Sequence, residues 1–330
     1  MKAIRFTAHG PPEVLRLEEI PTPTPQDDQV LVRVYATTVN AMEWRMFTLP
    51  RWFIRLIGGL RKPRDTSVGF DLAGRVEAVG AAVTQFHPGD EVFGLGKGAW
   101  AEFVCAPARL LVHKPRGVSF DAAATAGVAA LTALQGVRDC GRVQKGQRVL
   151  VHGAGGGVGT YAVQIARALG AQVDGVCGPD NLRLTRSLGA ARAIDYTRED
   201  FTQTRERYDV VIVANGSRRV RDYRLVLTPT GTCVVLGGSI PRVLQALALG
   251  LRLRWRRGQQ VRAMIANPNQ DDLQVLKTML EQGTVVPAID RTYPLAEASA
   301  AVRYLMAGHA RGKVVLQATR TDPTIAIRHQ

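Results

Sequence analysis

Residues 149–170, VLVHGAGGGVGTYAVQIARALG, constrain the fold more than any other stretch of this chain. The segment opens on an apolar, β-branched run, Val149-Leu150-Val151, of the kind that forms a strand buried on both faces. A glycine-dense turn, Gly153-Ala154-Gly155-Gly156-Gly157-Val158-Gly159, comes next. The spacing of Val158, Val163, Ile165, Ala166 and Leu169 then predicts a helix with one side turned to a sheet, and Gly170 is placed to end it. Strand, glycine turn and helix in that order build a cradle for the pyrophosphate of a dinucleotide. The glycines allow a tight turn and close approach of phosphate oxygens, and the helix N-terminus supplies unpaired N–H donors and positive dipole. Gly153, Ala154, Gly156, Gly157, Val158 and Gly159 are therefore read as cofactor-binding. A turn that serves packing alone is the competing reading; the strand before it and the second apolar strand at 171–177 favour the cradle.

At 330 residues the chain is long enough for two domains with a core each. No apolar run approaches the ~20 residues of a bilayer span, and the N-terminus, MKAIRFTAHGPPEVL, carries charges where a signal peptide needs its apolar stretch. Cys105, Cys140, Cys177 and Cys233 are scattered without a CxxC pair, which points to a reduced, cytoplasmic setting and away from a disulfide framework or a cysteine zinc cluster. The net charge of +15 raises the question of nucleic acid, anionic membrane or acidic substrates. The arginines are spread along the chain, however, with one dense cluster, Arg252-Leu253-Arg254-Trp255-Arg256-Arg257, and no zinc-finger spacing or RNA-binding aromatic signature. A small-molecule substrate is expected, and neither nucleic acid nor membrane as partner.

The first third reads as β-rich. Residues 1–6 and 14–19 form an expected strand pair, 29–36 (QVLVRVYA) alternates as a half-buried strand, and the glycines within 69–80 mark a bulge or a close backbone approach. Short strands follow a turn at Pro88-Gly89-Asp90. The Ala-rich segment 121–138 reads as a helix or two, and strands and helices then alternate in the pattern of a parallel, doubly wound sheet. A helix at 271–281 and the strand at 313–316 read as a return to the first unit, and the tail after Gln317 as loosely held.

Taken together, VRVYATTVNAMEW (32–44), GFDLAGRVEAVG (69–80), HPGDEVFG (87–94), AALTALQG (129–136), the glycine cradle, SLGA (187–190), IDYTRED (194–200) and GHARGKVVL (308–316) resemble the medium-chain dehydrogenase/reductase superfamily, in its zinc-independent quinone oxidoreductase branch, similar to zeta-crystallin. The resemblance runs nearly end to end. It implies an α/β chain: a GroES-like β-rich catalytic domain made from both ends (1–122 and 267–330 with the tail) and an inserted Rossmann domain (123–266). It also implies a cleft between them for nicotinamide and substrate, and a homodimer.

Where zinc-using relatives hold catalytic metal, this sequence has Asn40, Phe70 and Val128; Phe and Val cannot coordinate, so no metal is expected. Without a Lewis acid a simple ketone is hard to reduce. A quinone or an α,β-unsaturated carbonyl delocalises the incoming charge and needs only donors near its oxygen and a well-placed nicotinamide. Asn40 is the catalytic candidate the resemblance supplies; the alternative is an Asn that caps a turn at its strand end. Trp44, Phe53 and Phe70 are candidates for the cleft wall or for plain core, and Met42 stands where zinc enzymes keep a relay hydroxyl. No general acid is assigned.

The resemblance also places Thr132, Gly178, Asn181, Tyr196, Asn215, Leu236, Gly237 and Lys313 along the cofactor, Lys313 either at a phosphate or as a snorkelling surface lysine. NADP(H) leads NAD(H) on family grounds, but the local residues lean the other way. Gly178-Pro179-Asp180-Asn181 lacks the family's hydroxyl and cation; Asp180 would repel a 2′-phosphate or bond ribose hydroxyls, and Arg183 or Arg198 would have to replace the missing cation. Residues 241–257, leucine-bearing with a basic end, are expected to shape the acceptor pocket, with lipid contact as the alternative. The expected activity is zinc-independent, NAD(P)H-dependent hydride transfer to a quinone or enone. The alternative is a protein that keeps the fold without redox turnover and serves a non-redox biosynthetic step or binds a ligand or RNA. Alcohol oxidation is disfavoured by the missing zinc ligands.

Overall fold

The computed structural model describes residues 1–6, 8–48, 66–216, 218–237, 240–253 and 258–318. Two sheets dominate. One has six parallel strands in the spatial order Arg192–Asp195, Gln172–Cys177, Arg148–His152, Tyr208–Val213, Leu227–Val235, Gln260–Ala263. The chain order reverses between Arg148–His152 and Tyr208–Val213, so a crevice opens at the carboxyl ends of these two strands. Val149, Leu150 and Val151 are fully buried, as a strand covered on both faces requires. The glycine turn leads directly from this strand into the helix Gly157–Ala168.

The second sheet has seven strands: Ile289–Pro294, Lys313–Gln317, Gln29–Val39, Asp71–Val79, Glu91–Leu95 and Leu111–His113 in sequence across it, with Phe103–Pro107 also paired to Gln29–Val39. Its members come from both ends of the chain, and the antiparallel pairing of Lys313–Gln317 with Gln29–Val39 joins them. The close approach expected of the glycines is real: a Cβ on Gly74 would stand 2.0 Å from the Arg33 carbonyl oxygen on the neighbouring strand. The strand read as 29–36 continues through Thr37, Thr38 and Val39 and delivers Asn40 to the interior. The helix or two expected at 121–138 are a chain of short helical pieces between Phe120 and Cys140, two of them π-turns, with Ser119 as N-cap. Its alanines (Ala123, Ala124, Ala126, Ala129, Ala130, Ala133) and Leu131 and Leu134 join a core cluster that includes Phe93 and Val315 of one sheet and Val149 and Ile212 of the other, so this segment cements the two units together. Among the described residues, no helix is long and apolar enough to cross a membrane.

Candidate active site

The glycine turn has the shape its sequence requires. Gly153 has φ +85°, a conformation that a residue with a Cβ rarely adopts. A Cβ on Gly159 would stand 1.9 Å from the Gly153 carbonyl oxygen, so only glycine lets the helix start this close to the strand. Gly153 N and Ala154 N donate to Val176 O at 3.0 Å and Gly156 N to Gly153 O at 3.1 Å, while Thr160 N donates to Gly156 O at 2.9 Å, so the N–H groups that the helix start offers are those of Gly157, Val158 and Gly159. Gly159→Ala is expected to cost about 1–3 kcal/mol of stability, as overpacking does, and to abolish tight dinucleotide binding; thermal unfolding and a nicotinamide fluorescence titration check the two effects.

Asn215 follows the strand Tyr208–Val213, and its backbone lies against the turn: a Cβ on Gly153 would meet its nitrogen at 2.8 Å. Asn181 lies over the other side, its side chain occupying the space a Cβ on Gly155 would need, and its Oδ1 is buried without a hydrogen-bond partner. Gly178 lies beneath the ring of Tyr196, which is half exposed. A cradle that only glycine permits, edged by an unsatisfied amide oxygen, fits the pyrophosphate and ribose of a dinucleotide. Beside it a cavity of 640 Å³ opens between the turn of Asp180, Arg183 and Ser187 and the opposite segment of Ala288, Asp290 and Arg311. Arg198 is turned elsewhere, toward Asp195 at 3.8 Å. Leu236 fills the space beside Gly136, Gly237 lies against the Ala214 carbonyl, and Thr132 is spent on the Val128 carbonyl at 2.7 Å.

The return of the chain from residue 312 brings the two units into one site. Gly312 N donates to Gly155 O at 2.8 Å, and the next residue, Lys313, lays its aliphatic stem over Gly157. The surface alternative for Lys313 is thereby corrected: it is 3% exposed, because the strand it opens runs under the cleft. Its Nζ donates to Asn40 Oδ1 at 2.5 Å and lies 3.3 Å from Asp71 Oδ2. Asp71 also accepts from Asn40 Nδ2 at 2.9 Å, from the Thr38 hydroxyl and from Val128 N at 2.6 Å. A Cβ on Gly127 would come within 2.3 Å of this carboxylate, so that glycine makes room for it.

Glu43 completes the cluster. Its Oε2 accepts from Asn40 N at 2.6 Å and its Oε1 from Phe70 N at 3.1 Å. Asn40 and Glu43 thus form half of a capping box: the acid three residues into the helix Ala41–Thr48 caps the backbone of Asn40. The Asn40 side chain is turned from capping to Lys313 and Asp71. Complete burial and the negative charge of Asp71 push Glu43 up to about 8. One lysine facing two carboxylates favours the state in which one of them keeps its proton.

Glu43, Asp71 and Thr38 escape sequence reasoning, although the Asn-x-x-Glu spacing at a helix start is a signal for the first. Phe70 and Trp44 pack against core clusters, Met42 is largely exposed, and Phe53 lies outside the described residues.

Residues 26–116 match the alcohol dehydrogenase GroES-like domain family, and residues 188–316 the family described as zinc-binding dehydrogenase. The chain is 32% identical to a 2-methylene-furan-3-one reductase of Solanum lycopersicum over 96% of its own length and 79% of the relative's. It is 31% identical to a quinone oxidoreductase of Mus musculus, covering 96% and 97% of the two chains. The chain belongs to the quinone oxidoreductase branch of the medium-chain dehydrogenase/reductase superfamily. Among solved structures, a quinone oxidoreductase from Coxiella burnetii superposes with TM-score 0.84 at 29% identity, covering 97% and 99% of the two chains. A mycobacterial protein complexed with NADPH superposes with TM-score 0.80 at 27% identity, covering 96% and 99%. The chain is an oxidoreductase with a GroES-like domain and a Rossmann-type sheet. The name of the family matched at the C-terminal half can be set against the three positions that the resemblance matched to a catalytic metal. Phe70 and Val128 offer no donor atoms to zinc, and the one amide between them, Asn40, is committed to Lys313 and Asp71.

Proposed function

We propose that this oxidoreductase uses NADPH to reduce a quinone or an α,β-unsaturated carbonyl without zinc. The observation that carries the reading is the buried ammonium of Lys313, hydrogen-bonded to Asn40 beside the glycine cradle, where a metal-dependent relative would need its cation. NADPH supplies the hydride when bound. The turn at Gly153–Gly159 holds the pyrophosphate on backbone N–H groups, and Asn181, Asn215, Gly178 and Tyr196 line the adenosine side. Thr132, Leu236 and Gly237 border the nicotinamide side. Asn40 contributes to carbonyl binding through the second hydrogen of Nδ2, which has only long contacts, 3.3 Å to Glu43 and 3.4 Å to Thr38. Lys313, by donating to Oδ1, polarises that amide and makes it a better donor to an oxygen on which negative charge builds.

NADPH is preferred over NADH because Arg183 and Arg311 both line the cavity beside the turn, Arg183 on the wall of Asp180 and Arg311 on that of Asp290. The NADPH complex of the mycobacterial neighbour supports the same choice. Arg183→Ala is expected to weaken NADPH binding about tenfold and leave NADH unchanged; fluorescence titration with each nucleotide checks it. The expected assembly is a homodimer in the cytoplasm, paired through the edge strand Gln260–Ala263, with division into domains at 1–122, 123–266 and 267–330. NADPH oxidation on addition of a quinone or an enone tests the activity. Binding of neither nucleotide would return the chain to the non-redox alternative.

A further inference from the structure

The helix Ile240–Leu253 has two apolar faces. Ala246 and Leu253 are buried in the core beneath the six-stranded sheet, Leu249 packs against the same cluster, and a Cβ on Gly250 would stand 2.5 Å from the Val261 carbonyl of the edge strand. Leu244, Leu247 and Leu251 recur at i, i+3 and i+7 on the opposite side, and they are 59%, 52% and 66% exposed. A surface helix needs one apolar stripe to hold its place, and among the described residues nothing covers the second.

The charge of this stretch of sequence favours one occupant. Between residues 217 and 270 the sequence has ten arginines, no lysine and one acid, Asp222. Arg252 is exposed on the flank of the outer stripe, and the sequence continues Arg254-Trp255-Arg256-Arg257. Not every arginine of the segment is available: Arg262 turns inward to the Cys140 carbonyl at 2.7 Å, and Arg218 pairs with Asp200 at 3.0 Å. The homodimer proposed above pairs through the edge strand Gln260–Ala263 and does not need the outer stripe, where a two-fold contact would set Arg252 of each copy close to like charge. A nucleic acid would engage the arginines and leave three leucines in water. A bilayer with acidic headgroups satisfies both, with apolar side chains below the headgroups and cations among the phosphates. At 1.5 Å per residue the 14-residue helix is about 21 Å long, right for lying in the interface plane.

We propose that the outer face of the helix Ile240–Leu253 docks this protein on an anionic lipid surface. The proposal takes the lipid alternative for this segment over the acceptor pocket expected of it, and its test reads lipid binding apart from redox turnover.

The test is flotation of the full-length protein with vesicles of phosphatidylcholine, alone or mixed with phosphatidylglycerol. Binding is expected only to the mixed vesicles, weakening steeply as salt rises from about 0.05 to 0.5 M. The triple variant Leu244→Ser/Leu247→Ser/Leu251→Ser is expected to lose binding by at least about tenfold. Since these side chains are exposed, its circular dichroism and nucleotide titration should match the parent. A second variant, Arg252→Glu, should weaken binding to the mixed vesicles without loss of fold. Equal binding to both vesicle types, or parent-like binding by the triple variant, overturns the proposal. So does a triple variant that changes the oligomer mass in light scattering while still binding vesicles, which would make the face an interface between copies. Tight RNA binding that ignores the leucines, with no vesicle binding, likewise overturns it.

Discussion

Lys313→Met is expected to lower kcat/KM for NADPH-driven quinone reduction by about 10²–10³, the usual cost of losing a preorganised stabiliser of developing negative charge. The same substitution leaves Asp71, fully buried, without its cation, and removal of one partner from a buried pair costs about 3–5 kcal/mol. These two effects separate in a double variant. Lys313→Met/Asp71→Asn has no orphaned charge and should regain most of the lost stability, while activity stays low because the amide of Asn40 is still unpolarised. Chemical denaturation and steady-state kinetics on the parent, Lys313→Met, Asp71→Asn and the double variant check the cycle. If the double variant recovers activity together with stability, Lys313 has only a structural role.

Glu43 gives the second large effect, in the pH dependence of stability. Its folded-state value near 8 stands well above the ordinary 4.5. Between these values the folded protein keeps a proton that the unfolded chain has released. Raising the pH through this window therefore favours unfolding, with a slope of up to about 1.4 kcal/mol per pH unit from this group. The contribution of Glu43 is complete below about 4.5 and lost above about 8. Glu43→Gln, neutral at every pH and nearly the same shape, should remove that slope. Denaturation midpoints of parent and variant at intervals from pH 5 to about 9 test this, and parallel curves would mean that Glu43 is ionised in the folded protein throughout.

How far these groups were legible differs with the range of the interaction that places them. Val149-Leu150-Val151, the glycine turn and the helix after it form a local unit, so period and glycine spacing suffice to place the cradle. Strands with weak apolar alternation are harder. Ile289–Pro294 is mostly exposed and includes Asp290, Arg291 and Thr292, while Arg192–Asp195 is only four residues long. Their strand character comes from partners, Lys313–Gln317 and Gln172–Cys177, rather than from their own pattern. The same holds more strongly in the site. The GKVV motif singles out Lys313, but its contact with Asn40 spans 273 positions and its contact with Asp71 spans 242. Asp71 lies in the quoted GFDLAGRVEAVG motif, and nothing in that string shows that its carboxylate faces a cation rather than solvent. A polar residue inside a strand is ambiguous until the strand's neighbours are known.

Metal dependence tests the central claim most directly. The protein is stripped with a strong chelator, its zinc content measured, and NADPH oxidation followed by stopped flow on mixing with a quinone. The geometry at Asn40, Asp71 and Lys313 predicts an unchanged rate in zinc-free protein. A rate that collapses on chelation and returns on adding zinc would contradict it.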